Sequence, residues 1–508
     1  MKIIWLFALF LSIATPLHAE AKWLEASSDH FVVYSDQNEK DVRKYTDRLE
    51  RYHNAMALQF PQLQNKPSAS NRVTVYVVRD VGQVQKLAGD KNGEIAGFYL
   101  PRAGSSSAFV PRIGFDDEND DFSQVVLRHE YAHHVMFSIS SYSYPLWFTE
   151  GFAEFYAAAK FNDDGSVGLG LPAKHRFAEL FLAKDVPVES LLDTARYLKN
   201  KTKTYDAFYG RSWLLFHYLR FDEKRKGQMS AYLAKLTKGE KELDAAKTVF
   251  GDLKTLDNDM DRYMLQRRLS YNLLSGDTLK PGAIAIRMLG PGASAMMSVR
   301  IQSKRGVDEK AAALLLPAAK AVAAQYPDDP FVLTALSEAE YDAGHDAEAI
   351  AAADKSTAID KGQTNAYLQK GYAMARMAKD AKNPDAAWSK VRKQFLIVNG
   401  IENDHPIPLI QFYESYIEQG KKPTENAVTG LEWALQLSPF DVELRLTVAQ
   451  QMIGDERYDD AITVLGPLAS SPHNKGVSDS ALEMIKKAEE ARAKQAADAK
   501  EGANNKNG

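Results

Sequence analysis

Short apolar runs crowded with β-branched and aromatic residues mark the early part of the chain. Residues 30–35 (HFVVYS) and 72–78 (RVTVYVV) read as strands, and 39–60 between them repeats its apolar positions at helical spacing. Within 93–112, Ala96-Gly97-Phe98-Tyr99 and Ser107-Ala108-Phe109-Val110 alternate as a hairpin would. From 124 to about 266 the apolar period is that of helices, so a small sheet gives way to a helical lobe. Two runs, 283–289 and 293–301, flank Gly290-Pro291-Gly292 and predict a second hairpin. Past Gly306 the chain turns alanine-rich, and helical patterns recur about every 34 residues.

Length and composition sharpen this division. A chain of 508 residues exceeds one ordinary core, and the pattern changes place its units at 20–276, a linker at 277–305, helical repeats at 306–475, and a charged helix with a polar tail at 476–508. Met1-Lys2, an apolar run to Ala14, and Pro16-Leu17-His18-Ala19 form a signal-peptide pattern over 1–19, with an apolar stretch too short to span a bilayer. The expected location is periplasmic or secreted. With no cysteine there is neither a lipid-attachment site nor a disulfide framework. The formal charge of −4 argues against a nucleic-acid partner.

The candidate chemistry lies in His129-Glu130-Tyr131-Ala132-His133. Histidines four apart share a helix face, about 6 Å apart along the axis, so their ring nitrogens can meet at one Zn²⁺. The glutamate between them is placed to accept a proton from a metal-activated water. His134 points roughly 100° away and is read as a non-ligand. A catalytic zinc needs a third protein ligand. The acidic segment 116–121 and Phe122-Ser123 start a helix that runs to about 138, and Pro145 opens another after a short loop. Antiparallel packing of the two brings Glu150, in Trp147-Phe148-Thr149-Glu150-Gly151-Phe152-Ala153-Glu154, back to the histidines.

HEYAH followed by WFTEGFAEF resembles the gluzincin zinc metallopeptidases, closest to their peptidase-MA-like and aminopeptidase branches. The resemblance implies His129, His133 and Glu150 as zinc ligands, Glu130 as the catalytic base, and Glu154 as an acid that hydrogen-bonds a ligand histidine. Tyr209, heading Tyr209-Gly210-Arg211-Ser212, is similar to the tyrosine that donates to the tetrahedral intermediate in that clan, with Ser212 where the family carries glycine. His217, two turns on, reads as a structural histidine. No G-x-M-E-N exopeptidase motif is present, which points to an endopeptidase or a narrowly specific hydrolase. The 93–112 hairpin then falls where gluzincins offer an edge strand to an extended substrate.

The later repeats resemble tetratricopeptide repeats. Leu333, Leu336, Gly344, Ala349 and Ile359 fit the spacing, with Ser356 at a position usually alanine; Tyr416, Ala427, Ala434 and Pro439, then Ala449, Tyr458 and Ala461, follow. The expected architecture is an α+β metallopeptidase domain followed by an all-α TPR-like solenoid. The expected function is zinc-dependent hydrolysis of polypeptides, with the repeats docking a protein partner. A catalytically silent adaptor of the cell envelope, built on the same fold, is the competing expectation.

Overall fold

The computed structural model describes residues 22–114, 122–140, 142–201, 204–469 and 475–504. The expected signal peptide and the acidic segment 116–121 lie outside these residues. The chain is mostly helical; besides a minor sheet of three short strands, the described residues hold one six-stranded sheet near the start of the chain, with a TPR-like solenoid behind it.

The sheet is built from β1 (Leu24–Ser27), β2 (Phe31–Ser35), β3 (Val73–Val78), β4 (Phe98–Leu100), β5 (Ser107–Pro111) and a late strand, Ala285–Met288. Its order is β4-β5-β3-β2-β1 and then the late strand. β2, β3 and β5 run parallel, while β4 pairs antiparallel with β5 as the hairpin reading anticipated. Helix α1 (Glu39–Ala57), capped by Asn38 on the amide of Asp41, supplies the crossover from β2 to β3. Successive side chains of β3 divide between two cores, as the period of two requires. Val73, Val75 and Val77 join the core under α1 and the helices that follow the sheet, while Tyr76 and Val78 face the other side.

After the short helix α2 (Val81–Ala88) come two antiparallel helices, α3 (Phe122–Ile139) and α4 (Leu146–Ala157), with Pro145 at the N-cap of the second. The helical lobe continues to a long buried helix, Phe208–Phe221, which crosses α4 at Gly151. A Cβ on Gly151 would lie 2.5 Å from the Ser212 carbonyl oxygen, so only glycine allows this approach.

The expected hairpin at 283–301 is corrected. Its first limb is the strand Ala285–Met288, but it pairs antiparallel with β1, Ala26 opposite Ile286. The second limb is a helix, Pro291–Arg305, with Pro291 in its first turn and Gly306 after its end. Leu289, Ala293, Met297 and Ile301 pack on the sheet face opposite α1 and α3. The stretch read as a linker therefore contributes a strand and a covering helix to the first domain.

Behind it stand four helix pairs: Pro330–Asp342 with Asp346–Ile359, Thr364–Ala378 with Pro384–Ile401, Pro406–Glu418 with Glu425–Leu437, and Val442–Gly454 with Tyr458–Ala469. The first two pairs begin 34 residues apart, at Pro330 and Thr364. Ala349, Ala427, Ala434, Ala449 and Ala461 are fully buried where adjoining helices meet. Ser356 is buried too, and its hydroxyl is satisfied by Thr334 Oγ1 and the Pro330 carbonyl, both at 2.8 Å. The final helix, Lys475–Asn504, differs from the solvated helix and irregular tail expected there. Val477, Ala481 and Ala488 are buried, and the helix continues to Asn504. It closes the open end of the solenoid core.

The last repeats fold back onto the first domain. Asn71 donates to the Leu437 carbonyl (2.7 Å), the Ala103 amide donates to Asp441 (2.7 Å), and the Phe440 ring packs on His134 with centroids 4.1 Å apart. No helix among the described residues is long and apolar enough to cross a membrane.

Candidate metal centre

The helical repeat of α3 places Leu127, Tyr131, Ala132, Val135 and Met136 in the core and turns His129 and His133 toward α4. Glu150 arrives from the second turn of α4, and all three residues are buried. Their donor atoms form a nearly equilateral triangle. His129 Nε2 to His133 Nε2 is 3.1 Å, and Glu150 Oε2 lies 3.4 and 3.5 Å from those two nitrogens. Ligands about 2.0–2.1 Å from a tetrahedral zinc stand about 3.3–3.4 Å from one another, so this donor set matches the edges of such a site. Two imidazoles and one carboxylate are also the ligand chemistry that zinc favours.

Glu154, one turn beyond Glu150, is fully buried and reaches the far side of the His129 ring, with Oε1 3.1 Å from Nδ1. This contact fixes the ring so that Nε2 faces the triangle. Burial disfavours a charge on His129, yet Glu154 and Glu150 together push its pKa up to about 10. The same carboxylates that favour a proton there favour a metal cation. Burial would raise the Glu154 pKa, but His129, His175 and Arg176 hold it well below the usual carboxylate range.

The sequence pattern does not single out His175 and Arg176. They follow Pro172 in the loop after β6 (Lys160–Phe161) and β7 (Val167–Leu169). His175 Nε2 lies 2.6 Å from Glu154 Oε2, and Arg176 donates to Glu154 Oε1 at 2.5 Å. Arg176 also pairs with Glu179 and sits 4.8 Å over the Tyr209 ring. Glu179 in turn accepts from the Gly210 amide at 2.7 Å. A chain of contacts therefore joins His129 to the start of the Phe208–Phe221 helix. Nothing in the local pattern around Lys174-His175-Arg176 distinguishes it from an ordinary basic turn, since the partner that matters, Glu154, lies 21 and 22 residues away.

The structure brings Tyr209 to the same place, with its ring centroid 6.4 Å from that of His129. The Glu150 charge, with burial, raises its pKa and keeps the phenol protonated. Glu130 is only half buried. Its charge reaches Tyr99 on the edge strand β4, where burial first and Glu130 second raise the phenol pKa. His134 takes no part in the triangle. Its Nδ1 is 2.8 Å from the Tyr99 hydroxyl. His217 is a core residue, held by the Tyr263 hydroxyl and the carbonyls of Gly170 and Ser270.

A family profile described as a protein of unknown function (DUF1570) matches residues 124–241. All six candidate residues fall inside that span. No curated protein matches. Among solved structures, the chain is similar to a thermophilic TPR protein of Thermus thermophilus, at 15% identity over 38% of this chain and 96% of that one, TM-score 0.32. MamA from Desulfovibrio magneticus RS-1 is 15% identical over 41% of this chain and 98% of its own, TM-score 0.27. Yeast Tom70 is 15% identical over 58% and 62%, TM-score 0.27.

Proposed function

We propose that this chain is a gluzincin-like zinc peptidase of the bacterial periplasm or exterior, cleaving internal peptide bonds. The observation that carries the reading is the triangle of His129, His133 and Glu150 donor atoms, whose 3.1–3.5 Å sides suit one tetrahedral cation with a position left open. When bound, zinc supplies Lewis-acid chemistry, acidifying water and polarising a carbonyl. Glu130 accepts the proton of the attacking water and delivers it to the leaving amine. Tyr209, protonated, donates a hydrogen bond to the developing oxyanion. Glu154 holds His129 in the ligating tautomer, and His175 and Arg176 hold Glu154. The short edge strand β4, antiparallel to β5, offers backbone groups to an extended substrate beside Glu130. The repeats would dock a protein, either substrate or partner.

The test is metal analysis of the purified chain together with cleavage of a peptide library by wild type and Glu130→Gln. One zinc per chain in both proteins, with cleavage lost in the variant, supports the reading. A wild type that takes up no zinc, or equal cleavage by both, removes it and leaves the adaptor function.

A further inference from the structure

On the sheet face opposite the metal centre lies a cavity of about 490 Å³, between β2, β3 and β5 on one side and the first two helix pairs with the Pro291–Arg305 helix on the other. That volume suits a small organic ligand. Its charges do not cancel. Five basic side chains line it, Arg72, Arg102, Arg287, Arg300 and Lys304, against two acidic ones, Glu25 and Glu338. Both acids are already engaged: Arg287 grips Glu25 at 2.7 and 2.9 Å, and Lys304 holds Glu338 at 2.7 Å. Arg72 and Arg102 donate only to neutral oxygens.

Arg300 is the unusual member. Its guanidinium carbon lies 4.7 Å from the Tyr34 ring centre and 4.6 Å from that of Phe331. Between these rings it makes no hydrogen bond or ion pair with any described residue. Aromatic contacts leave a guanidinium's N–H groups unspent, and a planar fork with free donors suits a bidentate oxyanion. Other lining groups have spare capacity as well. The buried Ser303 hydroxyl and the Gln369 amide oxygen lack a hydrogen-bond partner, and the side-chain hydroxyls of Thr74 and Tyr76 bond to no described residue. Leaving the buried Ser303 hydroxyl and Gln369 amide oxygen unmatched is costly unless a ligand supplies their partners.

We propose that this cavity binds a small hydroxylated anion, of the sugar-phosphate or sugar-acid class, with its anionic group on Arg300 and its hydroxyls on Thr74, Tyr76, Ser303 and Gln369. The site is independent of the metal centre: it uses the other face of the sheet and residues from three separate parts of the chain. A carboxylate and a phosphate would meet Arg300 alike, and the probes separate them.

Calorimetric titration of the full chain with glucose 6-phosphate, glucuronate, glucose and inorganic phosphate tests the site. Binding of one anionic sugar is expected, with glucose silent and inorganic phosphate weaker by at least about tenfold. Arg300→Lys, which retains the charge and stem, should weaken binding about tenfold or more while the melting temperature stays near wild type. Arg102→Gln, at the exposed mouth, should weaken it severalfold without disturbing the fold. The proposal is overturned if neither anionic sugar binds up to roughly 10 mM. It is equally overturned if inorganic phosphate binds as well as the sugar, if both variants bind like wild type, or if a tripeptide bearing a free carboxylate binds in preference to both sugars.

Discussion

Arg445, in the last helix pair of the solenoid, donates a 3.0 Å hydrogen bond to the carbonyl of Phe137, in the final turn of the helix that carries His129, Glu130 and His133. The same guanidinium reaches the Ser140 carbonyl at 3.4 Å and the Val464 carbonyl at 3.0 Å, and also binds Pro439. It is buried with no carboxylate among its bonded partners, and desolvation pulls its pKa down to about 10. A cation at a helix C-terminus meets the negative end of the dipole, which helps to hold it there.

Arg445→Met should therefore cost about 2–4 kcal/mol, because several buried carbonyls lose their donor at once. Chemical unfolding should show the loss, with the second half of the solenoid exposing protease sites before the first domain does. Unchanged stability would mean that the contact is incidental.

Removing the carboxylate behind His129 tests the candidate metal site without touching a proposed ligand. Glu154→Gln should bind zinc about 10–100-fold more weakly, since the ring loses the charge that orients it. Competition with a fluorescent chelator measures this directly. Glu150→Gln should do worse, with zinc lost on dialysis, and an equal affinity for all three proteins would contradict the triangle.

Gly151→Ala is expected to destabilise the helical lobe by roughly 1–3 kcal/mol, because its methyl would meet the Ser212 carbonyl oxygen at 2.5 Å. The helices must part to admit it. Tyr209, on the second helix, would then shift against Glu150 on the first, so turnover should fall even at temperatures where the variant remains folded.

His217 supplies a pH prediction. Burial, the largest influence, pulls its folded pKa to about 4, against about 6.5 in the unfolded chain. The unfolded state thus takes up a proton first as pH falls. Its contribution to stability is complete above about pH 6.5 and lost toward pH 4, at up to about 1.4 kcal/mol per pH unit. Urea midpoints of wild type should fall through that window, and those of His217→Gln should fall less steeply.

Much of the candidate site's geometry is legible in the linear chain because its signals are local. Two histidines at helical spacing, a short loop and a glutamate on the return helix need only the geometry of an antiparallel pair. His175 and Arg176 were invisible because what they do is set by Glu154, which only the tertiary fold brings near. The error at 291–305 has a different cause. Gly290-Pro291-Gly292 has the composition of a turn, yet proline is equally at home in the first turn of a helix, and Ala293, Met296, Met297 and Ile301 are buried at helical intervals. The cavity around Arg300 could not be seen at all. Its walls come from residues more than 300 positions apart, such as Glu25 and Asn365, and no short pattern records that meeting.

The solenoid meets the first domain at several places along its length, through Phe331 near its beginning, through Glu402 on Ser70 in its middle, and through Phe440 and Arg445 near its end. It is an arch on several footings, where a free-standing array would be a spring. Its span is set by the distances between those points on another domain. A partner that needs a wider arc must first lift Phe440 from His134, and that work is subtracted from its affinity and felt one residue from His133.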